Sequence, residues 1–488
     1  MRLVAAPLLA VSLALLAGSD ADAAARPLLA VAYDSAPALR AAVAGRADVV
    51  RDYPRLRVAE VRARAPEMLR RAAGIRYVEP VHGRESAAEP ALFDSASSGV
   101  PYEWQYPAAH ADSVPANVLR AASSVTVAVI DTGADLTAPG LAAKVPQTHN
   151  VRTGSGDVRD VIGHGTFVSS LAAGSVSNGE GIAGFGGDAR LLVIKATGAG
   201  GLLTDVDEAN AIVYAVDHGA RVINLSVGGA KSSETERRGI AYAAQHGVLV
   251  VAAIGNEYSL GNPVEYPAAL LQPVGSNGNG GVGLAVGAST EDGSRAGFSN
   301  TGSHLSLVAP GEHVFGAVSA TSPPGDYAAV TLPGSARGLY GYGSGTSFAA
   351  PEVAGAAALV LAANPLLTAS DVAQILKESA SNHGAWNPTT GFGVLDVGAA
   401  VARAQHRAAI SVAAVRSGKV IRVRWSSTGA ARYRLSLRRG SSAPVVLLDG
   451  TTRTSATYRL VRGPRYTFTV TAFDTGGARL ASAASTAR

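Results

Sequence analysis

Three residues of this 488-residue chain have types and settings suited to acyl transfer: Asp131, His164 and Ser347. Asp131 ends the apolar run Val127-Ala-Val-Ile and precedes Thr132-Gly133. An acid at the end of a buried strand is costly unless its charge is used. His164 stands in Gly163-His-Gly-Thr166, opening a helix-like stretch that runs to Ala173. Ser347 stands in Gly343-Ser-Gly-Thr-Ser-Phe-Ala-Ala-Pro351, ahead of an apolar helix. A helix N-terminus there favours developing negative charge. Taken singly, each has a structural explanation: a turn aspartate, a helix-start histidine, a helix cap. Together they supply an orienting acid, a base and a nucleophile.

Two further blocks lie between them, Asn224-Leu-Ser-Val-Gly-Gly229 and Ala252-Ala-Ile-Gly-Asn256. With Asp131-Thr-Gly, His164-Gly-Thr and Gly345-Thr-Ser-Phe-Ala-Ala-Pro351 they make five blocks in a fixed order. The acid, base and nucleophile come in the chain order Asp, His, Ser. On these blocks residues 105–406 resemble the catalytic domain of the subtilase family (peptidase S8). The resemblance implies that Ser347 attacks a peptide carbonyl, His164 shuttles the proton and Asp131 orients the imidazole. It implies that Asn256 and the Ser347 backbone N–H form the oxyanion hole. Ser226, Val227 and Gly228 would pair with an extended substrate backbone. Ala252 and Gly255 would form the other wall of the first specificity pocket. No acid is evident at the base of that pocket, so large apolar or uncharged side chains are expected in it, with Glu257 the alternative that would favour a basic group at its rim. The chain departs from the family pattern at Phe167 and Glu352, neither of which does the chemistry.

The elements that must hold these residues read as an α/β domain with a mostly parallel sheet covered by helices on both faces. Val125–Ile130, Leu191–Lys195, Val222–Leu225 and Val248–Ile254 are continuous apolar runs, as strands buried on both faces require. Asp205–Asp217 places Val206, Ala209, Ile212, Val213 and Val216 on one helical face, with Thr204 as its cap. Functional residues of such folds collect at the carboxyl ends of the strands.

The flanks differ. Residues 1–25 carry Arg2, the apolar run Leu3–Ala17 and small residues after it, the layout of a secretory signal peptide. Residues 26–85 alternate strands and helices as a small ferredoxin-like α+β unit. They are similar to the inhibitory propeptide (inhibitor I9-like) of the same family, with Tyr77-Val-Glu-Pro80 as its closing strand. Residues 86–104 read as an exposed linker with a processing site. From 407 to 488 the period changes to two: Ile421, Val423 and Trp425 alternate with arginines, and Tyr466, Phe468 and Val470 with threonines. About seven short strands there fit an all-β sandwich resembling a fibronectin type III module.

Composition narrows the chemistry. There is no cysteine, which removes disulfides, thiolate nucleophiles and cysteine-based zinc sites. The formal charge of +5 comes from arginines spread along the chain, without the dense basic run that nucleic-acid binding uses. The expectation is a secreted, bacterial-type extracellular serine endopeptidase made as a self-processing precursor. Its partners are polypeptide substrates and its own propeptide as an intramolecular inhibitor. It needs no cofactor for chemistry, no nucleic acid and no membrane span after signal removal, and is expected to be a monomer. Calcium is a structural ion that the family resemblance implies; Asn178 and Glu180 lie in the relevant region but read better as a solvated turn, and the metal ligands are unknown. The rival reading is a catalytically silent protein of the same fold that binds surfaces through its C-terminal sandwich. Such proteins usually lose a triad or oxyanion residue, and this chain keeps all four.

Overall fold

The computed structural model describes residues 26–84, 102–178, 182–198, 201–321, 327–330, 340–459 and 465–487. The expected signal peptide, most of the linker and Glu180 lie outside the described residues. The chain divides into two compact units, 1–81 and 82–488.

In the first unit the strands are β1 (Leu28–Tyr33), β2 (Ala47–Tyr53), β3 (Val58–Ala63) and β4 (Ile75–Pro80), with helices Ala36–Val43 and Pro66–Arg70. The sheet order is β2-β3-β1-β4, with every pair antiparallel. This β-α-β-β-α-β arrangement has the ferredoxin-like topology. Ser35 caps the first helix by accepting from the Ala38 N–H at 3.3 Å. The apolar face of the sheet, with Val31 and Val61, packs on Leu39 and Leu69.

The second unit begins earlier than the sequence boundary at 85 suggested. Gly83–Arg84 forms a short strand, β5, paired antiparallel with β9 (Leu203–Thr204). The reason is local pairing and one buried side chain, treated below. The large sheet uses β6 (Thr126–Asp131), β7 (Gln147–Asn150), β8 (Arg190–Lys195), β10 (Val222–Leu225), β11 (Leu249–Ala253), β12 (Gly283–Ser289) and β13 (Leu307–Pro310). Its order is β13-β12-β11-β10-β6-β8-β7, and every pair is parallel. Side chains alternate between faces, as strand geometry requires. Val127, Val129, Val222, Leu249 and Val251 enter one core, while Ala128, Ile130, Ile223, Val250 and Ala252 enter the other. This is a subtilisin-like α/β fold.

The helix Thr346–Ala363 runs through the first of these cores. It is long and apolar enough in composition to cross a membrane, but it is buried inside the protein. Pro351 lies inside its second turn and cannot donate to the Ser347 carbonyl four residues back; that carbonyl accepts from Ser226 Oγ instead, at 2.7 Å. Beside the large sheet, β14 (Val314–Ala317), β15 (Ala328–Val330) and β16 (Tyr340–Gly343) form a small antiparallel sheet.

The C-terminal sandwich has a sheet of three strands and a sheet of four among the described residues. The first is formed by β17 (Ile410–Ser417), β18 (Val420–Ser427) and β21 (Ser455–Arg459). The second is formed by β19 (Arg432–Arg439), β20 (Val445–Thr451), β22 (Tyr466–Phe473) and β23 (Arg479–Ala487). The period of two delivers Ile421, Val423, Trp425, Leu435, Phe468 and Val470 to one core between the sheets.

Candidate active site

Three neighbouring strands, β11, β10 and β6, end on the same edge of the parallel sheet, and the site is built there. Asp131 is the last residue of β6 and is 1% exposed. Its Oδ1 accepts from the Thr132 N–H at 2.7 Å and lies 2.8 Å from His164 Nδ1. His164 is the first residue of the helix His164–Ala173 and is 2% exposed.

The helix start is fixed by a residue the sequence reading did not single out. Asp160 is fully buried and accepts five hydrogen bonds. They come from Thr132 Oγ1 (2.9 Å), Ile162 N (3.1 Å), Gly163 N (2.8 Å), Thr166 N (2.8 Å) and Thr166 Oγ1 (2.6 Å). A carboxylate satisfying the orphan N–H groups of a helix start is the expected solution there. Thr132 Oγ1 in turn accepts from the Gly165 N–H at 2.8 Å. The two motif glycines are steric necessities. A Cβ on Gly165 would lie 2.2 Å from the Gly133 carbonyl oxygen, and one on Gly133 would lie 2.1 Å from the Val158 carbonyl oxygen. Gly133 also has φ of +121°, a region side chains avoid.

Ser347 is the second residue of the helix Thr346–Ala363 and is fully buried. Its Oγ donates to the Ser226 carbonyl at 3.4 Å, and its own carbonyl accepts from Ser226 Oγ at 2.7 Å. Asn224 Nδ2 donates to Ser226 Oγ at 2.9 Å. The segment after β10 is thereby held against the serine. Ser347's neighbour Phe348 packs on the His164 ring, with centroids 5.8 Å apart, and on Phe167 at 4.4 Å. Asn256 Oδ1 accepts from Thr346 N and Thr346 Oγ1, both at 2.9 Å. With its oxygen so engaged, the amide presents its N–H groups on the other side, beside Gly345.

Val227 and Ala252 are buried, and Gly228 and Gly255 face one carboxyl group. A Cβ on Gly228 would lie 2.3 Å from Glu265 Oε2, and one on Gly255 would lie 2.8 Å from Glu265 Cδ and 2.9 Å from Glu257 Oε2. Glu265 is thus a carboxyl group beside Gly228 and Gly255 that the sequence reading did not identify. Glu265 was missed because it lies outside the five blocks; Tyr266, next to it, bridges antiparallel to Gly229. Burial, a hydrogen bond to Glu257 and the charge of Glu257 push the Glu265 carboxyl up to about 9.

Among the described residues, no group of three or more His, Asp or Glu side chains is arranged to hold a metal ion. No step below runs through a metal.

Residues 122–393 match the profile of the subtilase family. The chain is 34% identical over 287 residues to subtilisin Savinase of Lederbergia lenta, covering 58% of this chain and 91% of that protein. It is 35% identical over 244 residues to a thermophilic serine proteinase of Bacillus sp. (strain AK1), covering 50% of this chain and 54% of that one. The chain thus spans about half the length of that relative, and 64% of the alkaline protease of Alkalihalobacillus alcalophilus. Among solved structures, fervidolysin from Fervidobacterium pennivorans superimposes with a TM-score of 0.64 at 23% identity. The match covers 94% of this chain and 76% of that one, and shows a common fold.

The Glu265 geometry has a thermodynamic consequence. The folded state keeps a proton that the unfolded chain releases near pH 4.5, so stability falls as pH rises from about 4.5 through about 9. Replacing Glu265 with Gln removes that term. Thermal melts of Glu265→Gln and the parent should converge at pH 4 and separate by several degrees in favour of the variant at pH 8–9.

Proposed function

We propose that this chain, which belongs to the subtilase family, is a serine endopeptidase whose nucleophile is Ser347. The observation that carries the reading is the buried 2.8 Å contact between Asp131 and His164 Nδ1, on the strand edge that also holds Ser226, Asn256 and the N-terminus of the Ser347 helix. In this reading Asp131 fixes the tautomer with the proton on Nδ1, so Nε2 serves as the base toward the Ser347 hydroxyl. As Ser347 Oγ bonds to the peptide carbonyl carbon, its proton passes to His164. The oxyanion forms against the Asn256 side chain and the Ser347 backbone N–H, aided by the helix dipole. His164 then protonates the leaving amine, and water repeats the sequence on the acyl-enzyme. The chemistry uses no cofactor.

The substrate lies extended along Ser226–Gly228, opposite Ala252–Gly255. Its first specificity pocket contains the Glu257–Glu265 pair, and this refines the expected taste for large apolar or uncharged residues. Glu265 keeps its proton at neutral pH, and the pair offers acceptor oxygens to a bound side chain. Side chains ending in donors, amide or basic, are favoured, and acidic ones are rejected. Above about pH 9 Glu265 ionises and the preference tilts further toward bases.

Residues 1–25 are proposed as an export signal on their composition. The ferredoxin-like unit is proposed as an inhibitory propeptide, supported by its topology and its resemblance to that module. The C-terminal sandwich is proposed as a fibronectin type III-like spacer. The working form is proposed to be an extracellular monomer.

Ser347→Ala should abolish cleavage of denatured casein. Asn256→Ala should lower kcat by about 10²–10³ with little change in KM, the size that loss of this donor has in subtilisin itself. Casein cleavage undiminished in Ser347→Ala overturns the reading. In peptides differing only at the residue before the cut, Glu should be at least about tenfold worse in kcat/KM than Gln or Lys. That corresponds to about 1.4 kcal/mol.

A further inference from the structure

A second group of buried charges lies beside the cleft. Arg84 has no exposed surface, although it sits in a strand of two residues. Its Nε is 3.2 Å from Glu208 Oε2 and its Nη2 is 2.6 Å from Glu236 Oε1, and both carboxyl groups are fully buried. Asp205, also fully buried, pairs with the backbone of His82. Its N–H donates to the His82 carbonyl at 2.9 Å and its Oδ1 accepts from the His82 N–H at 3.1 Å. Asp205 and Glu208 come from the first turn of the helix Asp205–Asp217, and Glu236 from the first turn of the helix Glu234–Gln245.

Two carboxyl groups contact the guanidinium, and the charge of Asp205 acts on it as well. Burial raises Glu208 well above the ordinary range, with Glu236 adding to the rise and Arg84 opposing it. Burial likewise raises Glu236 and Asp205, in both cases against the pull of Arg84. Even beside Arg84 burial outweighs the pull of the cation on these acids, so the site offers strong compensation to a buried cation, through charge-assisted hydrogen bonds in a dry setting. Arginine suits it better than lysine because its planar fork reaches two carboxyl groups at once.

The backbone around Arg84 is that of an added strand. Gly83 and Arg84 pair with Thr204 and Leu203 on one side. On the other side lies Gly229, where a Cβ would come within 3.0 Å of the Gly83 carbonyl and 3.1 Å of Arg84 Nη1. Gly229 directly follows the Ser226–Gly228 edge that is assigned to the substrate. Ser226 is level with the nucleophile, since its carbonyl accepts from Ser347 Oγ. Gly229 is three residues farther along, about 10 Å at strand rise. An antiparallel substrate running past this edge therefore brings the residue three before the cleaved one to the place where Arg84 lies.

We propose that Asp205, Glu208 and Glu236 form a specificity pocket selecting arginine three residues upstream of the cleaved residue, and that Arg84 is the chain's own occupant of it. The alternative, a permanent pin holding residues 82–84 to the fold, predicts no effect on peptide choice.

The proposal rests on the proteolytic reading, and the test separates the two. The full chain is expressed, and its secreted product is assayed on quenched peptides identical except for Arg, Lys, Gln or Ala at that position. Arg should exceed Ala by about 30-fold or more in kcat/KM, mostly through KM, with Lys between them. Glu208→Gln and Glu236→Gln should each lower the Arg/Ala ratio about tenfold. Parent enzyme that cleaves all four peptides within about twofold overturns the pocket and leaves the protease standing; the parent series decides this even if a variant fails to fold. Failure to cleave any peptide or denatured casein overturns the proteolytic reading and the pocket with it.

Discussion

A carboxylate with almost no solvent exposure at the end of a strand must find its compensation locally, and the architecture around Asp131 is arranged to provide it. His164 Nδ1 stands 2.8 Å away and the Thr132 N–H 2.7 Å away. That geometry requires the helix bearing His164 to start within reach of the β6 terminus. Asp160, through five hydrogen bonds, ties the helix start to Thr132 and so to β6. The close passage of the two segments leaves no room for a Cβ at Gly133 or Gly165. The parallel sheet then sets β10 and β11 beside β6, which brings Ser226 and Asn256 to the same edge. The compensation of one buried acid thus accounts together for the motif glycines and the placement of the His164 helix.

The same cleft carries further buried acids, in two groups with different solutions. Glu265 lies against Glu257 and resolves the conflict by keeping its proton to about pH 9. Glu208 and Glu236 lie against Arg84, a cation supplied by the chain. Carboxyl groups are poor choices for a purely structural core, since apolar residues of the same volume would serve stability as well or better. Their concentration beside the Ser226–Gly229 segment fits the recognition of donors and cations in an extended peptide that is proposed above.

Much of this was legible in the sequence because it is local. The nucleophile, the base, the acid and the asparagine sit in short blocks, and strand Val222–Leu225 and helix Asp205–Asp217 fall where their apolar runs and the Thr204 cap place them. The C-terminal sandwich follows from a period of two. What escaped is long-range or weakly patterned. Strand β12 is built largely of Gly and Ala, which carry little hydrophobic signal. Asp160 is an isolated acid whose partners become evident only when the His164 helix start is folded. Glu265 meets Gly228 and Gly255 from outside every motif. Arg84 is 124 residues from Glu208 in sequence, so its burial could not be anticipated, and that burial moved the start of the second unit to His82.

The central claim is that Ser347, and no other hydroxyl, is the activated nucleophile of the Asp131–His164 pair. Labelling the secreted protein with a fluorophosphonate and mapping the adduct by peptide mass spectrometry tests it directly. A stoichiometric adduct on Ser347, lost when His164 is replaced by Ala, is the predicted result. An adduct on a different residue, or none on protein that still cleaves casein, would contradict it.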